Sequence, residues 1–372
     1  SRPVQKVCVV GLGYIGLPTA STFASRGLDV TGVDINEHVV TKINDGHAHF
    51  SEPELDMLLS AAVTTGKLRA TATPEPADAF IIAVPTPLNG HNAADMSFVD
   101  AAVESIAPVV QSGNLVILES TSPIGTTARI ADRLSELRPE LHFPTANHRG
   151  PIDVHVAHCP ERILPGHMVR ELVENDRIIG GLSDDCAIRA RDLYELFVRG
   201  ECVLTDAATA ELVKLTENAF RDVNIAFANE LSVICDQLQL NVWNVIELAN
   251  RHPRVDILNP GPGVGGHCIS VDPWFIVESA PKAATLIRTA REVNGAKPDF
   301  VVDKVVAHAD RFKSPIIACL GLTYKPDVDD LRESPALHIV TELARKRVGS
   351  LLVVEPQLEE LPCDLRNFEN LE

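Results

Sequence analysis

The chain opens its pattern with Lys6–Val10 (KVCVV), a short β-branched apolar run, and Gly11-Leu12-Gly13-Tyr14-Ile15-Gly16 follows at once. Residues 17–26 read as a helix, and Asp29–Val33 as a second strand that leads into Asp34. This is strand, glycine-rich turn, helix, strand. Further strand-like runs occur at residues 79–84 (AFIIAV) and Leu115–Leu118, with helical patterns around 98–110 and 127–137 between and after them. Strands alternating with helices predict a parallel sheet covered by helices on both faces.

The pattern then changes. Residues 206–238 contain no glycine or proline, and Leu212, Leu215, Ala219, Val223, Ala226, Ala228, Leu231, Ile234 and Leu238 recur at helical spacing. One long helix is predicted, followed by a second over 241–250. A helix of that length suits a connection between α/β domains and can supply a subunit interface. Residues 260–266 (PGPGVGG) form a stiff, glycine-rich loop. Beyond Lys297, Ile316–Leu320 and residues 351–354 read as strands flanking one helix, the opening of a second βαβ unit.

With 372 residues the chain is too long for one ordinary core, and two or three domains are expected. Its apolar share of 45% suits a globular protein, and no apolar run approaches the length of a membrane span. The opening residues carry neither an apolar h-region nor a small-residue cleavage site, so a cytoplasmic location is expected. A net charge of −18 disfavours nucleic acid and anionic membrane surfaces as partners. It leaves room for an anionic small molecule held by a few local Arg and Lys residues. Eight cysteines are scattered with no C-x-x-C pair, so most should act as small buried hydrophobes. No metal site is expected, because the loose group His142, His148, His155 and His158 lacks zinc-ligand spacing and reads as an exposed connection.

Five sequence features carry candidate chemistry. In the first turn, Gly11 permits a tight bend, Gly13 a close backbone approach to a pyrophosphate, and Gly16 tight packing of helix on strand. Asp34 would accept from both hydroxyls of a ribose and repel a 2′-phosphate, which favours NAD over NADP. Cys268 follows two glycines in GGHCISVDP, where backbone N–H groups can stabilise a thiolate; a buried structural cysteine is the plain alternative. Asp272 stands four residues on and shares its face if a helix starts there. Lys214, Asn218 and Arg221 fall at i, i+4 and i+7 on the long helix and put a cation, an amide and a guanidinium on one face, though such a set is normally a solvated polar face. Arg251-His252-Pro253-Arg254 offers guanidinium forks for a diphosphate, with a surface helix end as the plain alternative. Tyr324-Lys325 and Arg332 follow the first strand of the C-terminal unit, where ligands meet open α/β sheets.

Together these segments resemble the UDP-glucose/GDP-mannose dehydrogenase family along nearly the whole chain. The resemblance rests on GLGYIGLP (11–18), VPTP (84–87), ESTSPIGTT (119–127), CPERILPG (159–166), KLTENAFRDVNIAFANEL (214–231), GPGVGGHCISVDPWF (261–275) and KPDVDDLRESPA (325–336). The wording NRHPRV (250–255) and VDPWF (271–275) resembles the branch acting on UDP-N-acetyl-D-mannosamine. The UDP-glucose branch usually carries Ser where His267 stands and Lys-Asp where Val271-Asp272 stands.

The resemblance implies an α/β fold of three domains: a Rossmann-type NAD-binding domain over 1–205, a central helical dimerisation domain with the cysteine loop over 206–298, and a Rossmann-like UDP-binding domain over 299–372. Members of the family extend further, so that last domain is expected to be partial. By position Cys268 matches the nucleophile and Lys214 the catalytic lysine, with Asn218, Asp272 and Glu161 in support. Tyr14, Ile15, Asp34, Thr86, Thr121, Thr127 and Arg332 match NAD contacts. Arg162, Ile163, Lys214, Asn218, Arg221, Gly265, Tyr324 and Lys325 match nucleotide-sugar contacts, and His252 and Arg254 match contacts supplied by a partner subunit. The implied reaction is a four-electron oxidation of a UDP-sugar at C6 through a cysteine-bound intermediate, in bacterial surface polysaccharide synthesis. Glu161, or the Lys214–Asp272 pair, would activate water. Rival readings are the same chemistry on UDP-N-acetylglucosamine or UDP-glucose, a single-step 3-hydroxyacid dehydrogenase, which needs no cysteine, and an NAD-sensing module without turnover.

Overall fold

The structure, a computed structural model, describes residues 3–371. Two compact units divide the chain, Ser1–Leu215 and Thr216–Glu372.

The first unit is built on an eight-stranded sheet. In chain order it contains β1 (Lys6–Val10), α1 (Gly16–Ser25), β2 (Asp29–Val33), α2 (Glu37–Asn44), α3 (Leu55–Thr64), β3 (Leu68–Thr71), β4 (Ala79–Ile82) and α4 (Ser97–Ile106). There follow β5 (Leu115–Leu118), α5 (Thr126–Leu137), β6 (His155–His158), α6 (Met168–Glu174), β7 (Arg177–Gly181), α7 (Asp184–Tyr194) and β8 (Cys202–Asp206). The strand order is β3-β2-β1-β4-β5-β6-β7-β8. Strands β1 and β4 run parallel, but the direction in which successive strands are added reverses between them, the switch point at which open α/β sheets bind ligands.

Alternation along the strands feeds two cores. Val7 and Val9 of β1, with Ile81 and Ile117, pack towards Leu17, Phe23 and Leu59. Cys8 and Val10, with Phe80, Ile82, Val116 and Leu118, pack towards Val99, Val103, Ile130 and Leu134. Burial on both faces explains why these strands read as unbroken apolar runs rather than alternating ones.

The predicted parallel sheet is present with one difference: β7 runs antiparallel to β6 and then pairs parallel with β8. Strands β7 and β8 therefore both run against the other six, and such a reversal leaves no trace in local periodicity. The histidine expectation is corrected. His158 is a fully buried residue of β6, paired in register with Leu118, and only His142 and His148 stand in a loop, their rings 5.2 Å apart.

The long helix, α8 (Ala207–Gln237), begins in the first unit and continues into the second. The second unit also contains α9 (Val242–Ala249), α10 (Asp272–Ser279), α11 (Thr285–Ala309), β9 (Ile316–Leu320), α12 (Pro335–Arg345) and β10 (Ser350–Val354). Strands β9 and β10 pair in parallel. The sequence reading missed α11, whose 25 residues contain Pro298; an interior proline reads locally as a helix boundary. The core beside β9 and β10 gathers Val302, Leu322, Val340, Leu343 and Leu351. Of the eight cysteines, Cys8, Cys159, Cys186 and Cys235 are buried, Cys202, Cys268 and Cys319 are half-buried, and Cys363 is exposed; none forms a disulfide.

Candidate active site

In the first unit the glycine-rich turn leaves β1 with Gly11 at φ +93°, the left-handed region that favours glycine. A Cβ on Gly11 would lie 2.6 Å from the Ala83 carbonyl oxygen, and one on Gly16 would lie 1.7 Å from the Gly11 carbonyl oxygen. These two glycines let β1, α1 and β4 approach. A Cβ on Gly13 would meet nothing within 4 Å. There the backbone faces open space, as a pyrophosphate cradle requires. Helix α1 starts after Ile15 with no side-chain cap, which leaves its positive end to an anion.

Asp34, just past β2, accepts from the Leu12 and Asn36 backbone N–H groups at 3.1 and 2.9 Å. These bonds hold its carboxylate beside the turn. Tyr14 stacks on Phe50 with ring centroids 4.4 Å apart. At the ends of β4 and β5 the two predicted threonines meet: the Thr86 hydroxyl donates to the Thr121 carbonyl at 2.6 Å. Residues that follow four neighbouring strands, β2, β1, β4 and β5, thus surround the switch point, and they fit a dinucleotide.

Thr127 is fully buried. Its N–H and its hydroxyl both donate to Glu211 Oε1, at 2.7 and 2.6 Å, and the Gly125 N–H donates to Glu211 Oε2 at 2.6 Å. Glu211 thereby caps α5, whose N-cap Gly125 has no side chain to do so. Burial pushes the Glu211 carboxyl up, against the pull of these three bonds. The sequence reading missed Glu211, because an acidic residue near a helix start signals nothing about a helix 84 residues away.

Glu161 follows β6 and is buried; Oε1 accepts the Arg162 N–H at 2.7 Å and Oε2 accepts Arg177 at 3.0 Å. Arg162 and Ile163 are half-buried. Glu52 orders the rest of this loop by accepting from the Gly166 and Met168 N–H groups at 2.8 and 2.7 Å. Lys214 is half-buried on α8; one turn further the same helix carries Asn218.

In the second unit Cys268 lies in the turn entering α10, which begins at Asp272. The Cys268 carbonyl accepts the Asp272 N–H at 2.8 Å, so the expected i, i+4 relation holds in the first turn. Asn218 and Asp272 are both buried, and the Asn218 amide donates to Asp272 Oδ2 at 2.6 Å. Arg291 reaches the Ile269 carbonyl at 3.3 Å and is itself paired to the buried Asp222 at 2.8 Å. Asn294 donates to Asp222 at 2.7 Å and accepts from Asn229, which accepts the Gly261 N–H at 2.9 Å. These four buried polar residues anchor the loop from both ends, and the sequence reading singled out none of them.

The loop also meets the segment after β9. The Gly266 N–H donates to the Arg332 carbonyl at 2.9 Å. A Cβ on Gly265 would lie 2.6 Å from Tyr324 Cβ, and one on Gly266 would lie 2.8 Å from the Tyr324 ring. Gly265, Tyr324 and Arg332 are therefore brought together. Arg332 forks onto Asp330 at 2.6–3.1 Å, and Lys325 is half-buried beside them. Arg221, His252 and Arg254 stand exposed, the last two on the turn after α9.

Known proteins match this arrangement. Family profiles of the UDP-glucose/GDP-mannose dehydrogenases match in three parts: the NAD binding domain over residues 5–198, the central domain over 208–296 and the UDP binding domain over 318–369. An NDP-N-acetyl-D-galactosaminuronic acid dehydrogenase of Ralstonia nicotianae is 61% identical, over 99% of this chain and 86% of its own length. A UDP-N-acetyl-D-mannosamine dehydrogenase of Campylobacter jejuni is 58% identical, over 99% of this chain and 90% of its own length. Among solved structures, the UDP-N-acetyl-mannosamine dehydrogenase Cap5O from S. aureus superposes with a TM-score of 0.86 at 45% identity, covering 95% of this chain and 84% of that one. With its glycine turn, its cysteine loop and all three domains accounted for, the chain belongs to the UDP-glucose/GDP-mannose dehydrogenase family, and its cofactor is NAD.

Proposed function

We propose that the protein oxidises UDP-N-acetyl-D-mannosamine at C6 to the uronate, by way of a thioester on Cys268. The observation that carries the reading is the Asn218–Asp272 hydrogen bond, made directly beside the turn that presents Cys268. It ties the amide of the long helix to the cysteine loop. Gly11, Gly13, Tyr14, Ile15 and Gly16 hold the NAD pyrophosphate and Asp34 its ribose. Thr86 and Thr121 line the nicotinamide side, Thr127 keeps that wall in place through Glu211, and Arg332 adds a cation. What NAD supplies when bound is the hydride acceptor for both oxidations.

The chain's own groups do the rest. The Cys268 thiolate adds to the C6 aldehyde and keeps it covalently bound. Lys214 and Asn218 donate to the oxygen on which negative charge develops; one such donor is typically worth two to three powers of ten in rate, about 3–4 kcal/mol. Glu161, paired with Arg177, takes a proton from the water that attacks the thioester. Arg162, Ile163, Arg221, Gly265, Tyr324 and Lys325 hold the nucleotide sugar. His252 and Arg254 reach the site of a second copy in a homodimer. We assign the three domains to 1–205, 206–298 and 299–372. Eight cysteines without a disulfide suit a cytoplasmic enzyme, and the product suits the assembly of a bacterial surface polysaccharide.

A second reading is favoured by one observation. The Ralstonia relative is named for a galactosaminuronic acid, so an N-acetylhexosamine of galacto configuration is the rival substrate. NADH release decides between them when it is measured with the UDP-linked N-acetylated manno, galacto and gluco sugars and with UDP-glucose. Two NADH per sugar and highest kcat/KM on the manno sugar are expected. Cys268→Ser should still bind NAD and form no uronate; acid formation at the normal rate would remove the covalent step.

A further inference from the structure

Beneath Glu161 lies a cluster of buried side chains to which none of these roles belongs. Glu119 directly follows β5 and is fully buried, as is Tyr194; Arg177 opens β7 and is 4% exposed. Glu119 Oε1 accepts the Tyr194 hydroxyl at 2.6 Å, and Oε2 accepts the Thr19 hydroxyl at 3.2 Å. The Arg177 guanidinium lies 4.0 Å from Glu119 and 3.0 Å from Glu161, and stacks 4.7 Å above the Tyr194 ring. One guanidinium thus serves two carboxylates where water is excluded. With both ionised the cluster carries a net negative charge, which is costly away from solvent.

We propose that Glu119 is a positioning residue that governs, through the shared Arg177, how readily Glu161 takes a proton. The inference rests on the reading of Glu161 as the base for thioester hydrolysis. When Glu119 is neutral, Arg177 pairs wholly with Glu161 and holds it as a weak base. When Glu119 is charged, the guanidinium is divided between the two and Glu161 becomes the stronger base. In the step itself an O–H bond of water breaks and its proton goes to Glu161. The water oxygen bonds to the thioester carbonyl carbon, the C–S bond breaks, and Cys268 leaves as thiolate.

Glu119 is faced by Thr19 from α1, Tyr194 from α7, Arg177 from β7, and Cys159 and Glu161 from the segment after β6. Burial pushes Cys159 up to about 12 and Tyr194 well above its usual value, so both stay neutral. Burial also pushes Glu119 up to about 7, opposed by Arg177 and reinforced by Glu161, so this carboxyl changes charge within the working range.

The test is single-turnover decay of the Cys268 thioester, followed by quenched flow and intact-protein mass between pH 5.5 and 9. The wild type should decay faster through an inflection near pH 7. Glu119→Gln, which keeps an acceptor for Tyr194, should lose the inflection and stay at the low-pH rate. Glu119→Asp should restore it. Tyr194→Phe, which keeps the carboxyl and removes its donor, should move the inflection to higher pH. A folded Glu119→Gln variant with the wild-type profile, or a Tyr194→Phe variant with an unmoved inflection, overturns the inference. Glu161→Gln separates the two readings. Accumulated thioester in that variant upholds the base role whatever Glu119 does, and decay at the wild-type rate overturns the base role and this inference with it.

Discussion

Asn218 and Asp272 stand 54 residues apart in sequence, yet the amide of one donates to the carboxylate of the other at 2.6 Å, and neither is more than 7% exposed. A carboxylate so buried depends on its donors. Asn218→Ala should lower stability by about 1–3 kcal/mol through loss of this one. Asn218→Asp should cost more, because two carboxylates would then face each other. Thermal unfolding of the three proteins checks the order, and wild-type stability in Asn218→Asp would refute it.

Glycines 13 and 16 fail differently when a methyl is added. A Cβ on Gly16 meets the Gly11 carbonyl oxygen at 1.7 Å, whereas one on Gly13 meets nothing of the protein. Gly16→Ala should therefore destabilise the first unit, with a lowered melting temperature. Gly13→Ala should melt like the wild type while its NAD affinity, read by calorimetry, falls about tenfold or more, a cost of at least ~1.4 kcal/mol. Unchanged NAD affinity in folded Gly13→Ala would show that the cofactor approaches elsewhere.

His158 is fully buried, and neither ring nitrogen meets a hydrogen-bond partner. Burial lowers its pKa from 6.5 to about 4. The unfolded chain then binds the proton more readily than the folded one. Stability due to this group is complete above about pH 6.5 and is lost as pH falls towards and through 4. Urea midpoints of the wild type should drop between pH 7.5 and 4.5, and those of His158→Leu should drop less. Parallel pH dependences in the two proteins would contradict this.

Phe220, Phe227 and Ile234 recur every seven residues along α8 and are 69%, 56% and 45% exposed. Such a stripe is costly to leave in water, and a second copy of the helix is the proposed cover. The double variant Phe220→Asp, Phe227→Asp should shift the mass measured by light scattering from dimer to monomer and reduce activity. A wild-type particle that is monomeric at micromolar concentration would remove the proposal.

Several local arrangements around the candidate site are legible in the sequence because they are short-range. The G-x-G-x-x-G turn between a strand and a helix, Asp34 just past the next strand, and Lys214 and Asn218 four residues apart on an uninterrupted helix are all short-range patterns. So is the Cys268–Asp272 spacing across a helix start. Backbone geometry allows these arrangements few alternatives, and a linear reading recovers them.

The supporting polar residues were not readable in this way. Glu119 stands inside one motif, after an apolar strand, and Asp222 inside another, on the long helix, whereas Arg177, Tyr194, Glu211 and Arg291 lie outside every motif. Each finds its partner 16 to 84 residues away, or in the case of Tyr194 and Glu119, 75. Local sequence thus determined the nucleotide-binding turn, the helix that bears the lysine and amide, and the cysteine at its helix entry. Tertiary structure alone decided which buried charges meet, the reversal of β7 and β8 and the capping of α5 from α8. The cost of an unpaired polar group away from water is settled by whatever the folded chain brings beside it, and periodicity along the chain does not encode that.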